Sequence, residues 1–172
     1  MTMTHYMELL AVNQPLNLLL FMALPVVLAE TVAISELYLL YTRRLDGVAR
    51  HINKVAGIAA GITFTGIIAY LLPNAVIPIT QKGEWRTFLD IFAVGMYLLS
   101  GLPLILVALQ DLGLIHKRLP DEEKLGWHAG CIAAFLILGH LAMIAGMTDP
   151  SVFGYQPPAS AHEMPDMSGM SH

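Results

Sequence analysis

The sequence predicts an all-α fold, a polytopic four-transmembrane-helix up-and-down bundle with both termini on the periplasmic face. Three observations carry that expectation. Hydrophobic residues make up 56% of the 172 residues and charged residues 13%, with a mean hydropathy of +0.63, an excess that suits lipid rather than water. The apolar residues gather into four runs, 16–41, 55–72, 88–112 and 125–147. Each is long enough, as a helix, to cross a hydrocarbon core of about 30 Å. Seven of the nine basic residues fall in two alternate loops, Arg43, Arg44, Arg50 and Lys54 in the first and Lys117, Arg118 and Lys124 in the third. The positive-inside rule puts those loops in the cytoplasm and the termini outside.

The residues before the first run lack the basic start and small-residue cleavage site of a signal peptide, so span one is expected to remain in the protein. It contains Pro25, which frees a backbone carbonyl, and two acids, Glu30 near mid-membrane and Glu36 nearer the cytoplasm. An ionised acid at the centre of a span costs about 2.5 to 3.5 kcal/mol on insertion scales, so Glu30 is expected to face the bundle interior with Ala23, Val26 and Ala33. Proton relay, ion coordination and a hydrogen bond to a quinone or haem are the functional readings of these acids; helix-to-helix glue is the structural one.

Span two follows a basic loop and carries Gly57 and Gly61, a G-x-x-x-G spacing that lets helix backbones approach closely within the bundle or between copies in a homo-oligomer. Its apolar content allows an extension to Ile79, with Pro73 as the expected start of the second loop. Span three places Met96, Ser100 and Pro103 on one face. Span four contains Cys131, a lone cysteine expected to pack as a small apolar residue, and His140, Met143 and Met147 at i, i+3 and i+7 on one face. A histidine within a span marks a functional site by default.

Beyond 147 the apolar pattern gives way to Pro, Ser, Gly and acidic residues, which predicts a flexible periplasmic tail over 148–172. There Met164, Met167 and Met170 recur at every third residue, with His162 and His172 two positions beyond either end. Thioether sulfur is a soft, neutral ligand suited to Cu(I), and imidazole accepts copper in either oxidation state. Near the start, Met1, Met3, His5 and Met7 alternate with spacers, on the same face by the expected topology.

The tail methionines resemble the methionine motifs of bacterial periplasmic copper carriers. The Met143-x-x-x-Met147 pair is similar to the intramembrane methionine pair of eukaryotic copper uptake channels, although those have three spans and a cytoplasmic C-terminus. The resemblance implies a bacterial inner-membrane protein that binds copper(I) on its periplasmic face and acts in copper transport, delivery or tolerance, with a periplasmic carrier or a larger membrane complex as partner.

Two other classes compete. His51, His116 and His128 fall together at the cytoplasmic edge with Gln110 and Asp111, and are expected mainly as interfacial residues. His51 or His116 with His128 also offers axial ligands for haem b on the inner side, and His140 with Met96 or Met22 on the outer side, in a redox subunit or respiratory anchor. In the third class Glu30 and Glu36 titrate in a proton-coupled transporter. The charge pattern gives no reason to expect nucleic acid. With no G-x-S-x-G, H-E-x-x-H or P-loop in the sequence, no enzymatic activity is expected.

Overall fold

The structure, a computed structural model, describes residues 4, 7–8, 11–43 and 46–154. The expected soft ligands Met3, His5, His162, Met164, Met167, Met170 and His172 lie outside the described residues. The chain is an all-α, multi-pass membrane protein with four helices long and apolar enough to cross a membrane: α1 Leu16–Thr42, α2 Val48–Lys82, α3 Phe88–Asp111 and α4 Asp121–Met147. A 3₁₀ turn at Pro150–Phe153 follows α4, its start held by the Asp149 carboxylate accepting the Ser151 N–H at 2.9 Å.

Each helix begins and ends for a local reason. α1 stops at Arg43, which adopts a left-handed conformation (φ 52°). α2 stops at Gly83 (φ 67°), whose N–H returns to the carbonyls of Ile79 and Thr80, a closure that glycine makes without strain. The Asp90 carboxylate accepts the Arg86 N–H at 2.9 Å and so closes the first turn of α3. Asp121, Glu122 and Glu123 line the first turn of α4, where acids complement the helix dipole.

The second helix is longer than the apolar run alone indicates. It starts at Val48 rather than 55 and runs past Pro73 to Lys82. Pro73 sits in a π turn at Leu72–Val76 that takes up the missing N–H without ending the helix. A matching π turn at Leu19–Ala23 precedes Pro25 in α1. Pro25 offers no N–H to the carbonyl four residues back, and the Tyr97 hydroxyl of α3 donates to that carbonyl, on Phe21, instead.

Sequential helices pack side by side, and α1 meets α4 to close the bundle. Gly57 and Gly61 face α3: a methyl on Gly57 would run into the Asp111 carboxylate, and one on Gly61 into Ala108. The G-x-x-x-G pair is thus spent inside the bundle. Gly101 of α3 leaves room for the Phe64 ring, which packs at a tilt against Tyr97 (5.2 Å between ring centres) and meets Phe135 edge-on (5.9 Å). Large apolar side chains point outward along the spans, Ile34 70% and Ile144 65% exposed, as helices surrounded by lipid require.

Thr4 donates from its hydroxyl to the Gly146 carbonyl at 2.7 Å, so Thr4 lies against the end of α4. That end of the bundle is called the terminal end below, and the end carrying the loops 43–47 and 112–120 the loop end.

Candidate functional site

Two polar regions interrupt the apolar interior, one toward each end. At the terminal end, α1 and α4 part around a cavity of about 310 Å³ whose walls are mostly apolar. Met7, Met22, Glu30, His140 and Met143 line it, over a floor of Phe64, Tyr97 and Phe135. Three thioethers from three segments thus share one space with an imidazole and a carboxylate. His140 Nδ1 lies 2.6 Å from the Leu136 carbonyl. A carbonyl only accepts, so Nδ1 carries the ring proton and Nε2 keeps a lone pair. Among the described residues neither His140 Nε2 nor Glu30 has a hydrogen-bond partner.

Ahead of α1, Thr4, Met7 and Glu8, called the strap below, each contact the bundle, and Met7 lines this cavity. Thr4 is fully buried against α4, and Met7 packs so near Gly146 that an added methyl there would lie 3.3 Å from its side chain. Glu8 pairs with both terminal nitrogens of Arg86, at 2.8 and 2.5 Å, tying the strap to the loop between α2 and α3. The fork geometry is the strong form of this contact.

Toward the loop end, α1, α3 and α4 each contribute one buried titratable side chain. His128 lies between two carboxylates: its Nδ1 bonds to Glu36 Oε1, and its Nε2 is 3.0 Å from Asp111 Oδ2. All three side chains are at most 4% exposed. Gly57 of α2 abuts the group, and its missing side chain lets Asp111 and His128 fit beside the helix. One turn earlier in α2, Asn53 donates to the Ser35 hydroxyl (3.0 Å) and the Val32 carbonyl (3.3 Å), while its own side-chain oxygen is buried without a partner among the described residues.

The sequence-predicted residues divide among these places. Met7, Glu30, His140 and Met143 reach the cavity with Ala23 and Val26, but Glu30, expected inside the bundle, is exposed, as is His140. Met147, expected on the same stripe, is 67% exposed and does not line it. Met96 is partly buried against the core and stays out of the cavity, while Ser100 of its predicted face lines it and Pro103 faces a separate groove with Cys131. Glu36 belongs to the loop-end group. His51 is exposed; His116 bonds to Gln110 (3.1 Å) and lies against Trp127.

His128 is the correction: expected at the interface, it is the centre of the buried group. Helix α4 starts at Asp121, earlier than the apolar run, which carries His128 nearly two turns into the bundle. Asp111 was expected at the same edge as His128, whereas Glu36 as its second partner, with Asn53 and Ser35 beside them, was missed. The legible signal was depth. Glu36 lies six residues from the end of α1 and His128 seven from the start of α4, roughly 9 and 10 Å from the same face at 1.5 Å per residue.

Among the described residues no three of His, Cys, Asp and Glu gather as ligands of one metal ion. In the loop-end group the imidazole ring itself separates the two carboxylates.

The chain belongs to DUF6803, a family of unknown function, whose profile matches residues 1–162. The match includes every cavity and loop-end residue named above and stops before Met164. No curated protein and no solved structure matches the chain.

Proposed function

We propose that this is a bacterial inner-membrane protein that binds copper(I) in the terminal-end cavity and takes part in copper transport, delivery or tolerance, with both termini in the periplasm. The observation that carries this reading is the meeting of Met7, Met22 and Met143 in one apolar cavity with a histidine whose Nε2 lone pair is open. Thioether and neutral imidazole are soft donors that favour Cu(I) over hard cations. An apolar wall penalises a strongly hydrated divalent ion more than a singly charged one. Glu30 supplies one negative charge against one positive charge, which limits the cost of holding the ion away from water.

In this reading the tail residues His162, Met164, Met167, Met170 and His172, with Met3 and His5, collect the ion and pass it to the cavity. The donor is a periplasmic carrier or a neighbouring membrane complex. Each transfer exchanges one neutral donor set for another, and the protein performs no covalent chemistry of its own.

The test is Cu(I) titration of the reduced, full-length protein in detergent against a competing chelator. The expected outcome is a cavity site that weakens in Met22→Leu, Met143→Leu and His140→Ala, and further copper equivalents that disappear when 155–172 is removed. Absence of Cu(I) binding, or binding that ignores the cavity variants, overturns the proposal.

A second reading has its own observation. The cavity floor of Phe64, Tyr97 and Phe135 suits the flat ring of a quinone, with His140 Nε2 and Glu30 as hydrogen-bond partners for its oxygens. An absorption spectrum and organic extract of the purified protein separate the two: a bound quinone favours the second, and a Soret band would point instead to haem b.

A further inference from the structure

The loop-end group has no part in the copper reading, and its proton count gives it a chemistry of its own. A hydrogen bond between a ring nitrogen and a carboxylate oxygen contains one proton, so the two bonds of His128 require two. The ring supplies both as imidazolium, or it supplies one and a carboxylic acid supplies the other. With those two protons and no more, either arrangement gives the three side chains a net charge of −1. Among the described residues no lysine or arginine pairs with Glu36 or Asp111. The surrounding groups add no positive charge: Ser35 on α1, Asn53 and Gly57 on α2, Val107 on α3 and Cys131 on α4. His51 and Lys54 of α2 are exposed rather than turned into the group.

The walls on its two sides differ. Toward the loop end the group is covered by one layer, Leu39 one turn beyond Glu36 and Leu125 one turn before His128. Outside that layer a cleft opens, lined by Arg43 and Glu122. Toward the cavity stand Val32, Leu104, Ile132 and the edge-to-face rings of Phe64 and Phe135.

We propose that Glu36, His128 and Asp111 form an intramembrane proton-binding site that takes up and releases one proton, between net −1 and neutral, through the Leu39–Leu125 layer at the loop end. The incoming proton ends on a carboxylate, because two protons already fill the two hydrogen bonds. The neutral state is an imidazolium with one carboxylate and one carboxylic acid. No electron moves and no other bond forms or breaks. Asn53 stands on the same face of α2, one turn toward the loop end from Gly57, with an oxygen that lacks a donor among the described residues. The ligand is the proton itself, and the site makes the protein suited to coupling proton movement to whatever its cavity holds.

The experiment is infrared difference spectroscopy of the full-length protein in lipid vesicles, without copper, titrated between alkaline and acid buffer. The expected result is a carboxylic-acid C=O band in the position of a water-excluded group. It shifts in D₂O and moves when either aspartate or glutamate is carboxyl-¹³C-labelled. Its loss in Glu36→Gln or Asp111→Asn, with helix content unchanged, supports the proposal. A wild-type titration that gives no such band overturns it, as does a band that persists in both variants. Should neither variant fold, the labelled wild-type spectrum decides alone, since the presence or absence of the band is read there. Copper is absent throughout, so the result is independent of the cavity reading.

Discussion

The two polar regions of this bundle are made of the same kinds of side chain and are finished differently. At the loop end both nitrogens of His128 are bound by carboxylates, and the group is sealed between apolar layers. At the terminal end His140 spends one nitrogen on its own helix and leaves the other open beside Glu30 in a cavity. A saturated buried cluster holds helices together and has room for little besides a proton. An unsaturated one beside empty space has room for a ligand. The difference teaches that position within the bundle, more than residue type, decides what a histidine in a membrane span does.

The comparison is broken most directly by exchanging imidazole for methyl at each end. His128→Ala leaves two buried carboxylates without their shared partner and is expected to cost about 3 to 5 kcal/mol, read as a lowered thermal unfolding midpoint in detergent. His140→Ala is expected to change stability by less than about 0.5 kcal/mol while weakening Cu(I) binding. Equal stability losses in the two variants would erase the distinction.

A smaller effect sharpens the loop-end half. Gly57→Ala pushes a methyl against the Asp111 carboxylate and Val107, and overpacking of this kind costs about 1 to 3 kcal/mol. The same unfolding measurement checks it, with Gly66→Ala as the control, since nothing stands within 4 Å of that position.

The terminal-end half is sharpened by Met22→Leu and Met143→Leu. These swaps conserve volume and are expected to cost less than about 1.5 kcal/mol in stability. Each removes one sulfur donor and should weaken Cu(I) binding about tenfold, equivalent to about 1.4 kcal/mol, in the competition titration. Loss of stability without loss of affinity would make the methionines mere packing.

The smallest effect belongs to the strap. Arg86→Ala removes the fork on Glu8, whose side chain is 47% exposed, so solvent screening holds the expected cost to about 0.2 to 1 kcal/mol. Faster cleavage of the N-terminal segment by added protease, with the bundle's unfolding midpoint nearly unchanged, is the expected signature.

Much of this was readable from the chain. The four spans follow from hydropathy and length, and the stripe from His140 to Met143 follows from helical spacing. The close approach of Gly57 and Gly61 was also anticipated, although its partner, α3, was not. Pro73 misled because a proline in an apolar run signals a stop, while the π turn that accommodates it depends on packing. Met147 left the stripe because four further residues carry it beyond the cavity to the exposed end of α4. Met96 and Ser100 share a helical face by spacing, yet only Ser100 lines the cavity.

What the sequence determined by itself is the environment: an apolar chain with four long runs has no stable choice in lipid except helices that satisfy their own backbone. It also determined which few polar side chains must be hidden or used. What only the tertiary structure decided is which of them meet. Glu36 and His128 are 92 positions apart and Met7 and Met143 further still, and no local period links such residues. Their encounters depend on how α1 leans toward α4, closed at one end by the Glu36–His128 contact and held apart at the other around a cavity.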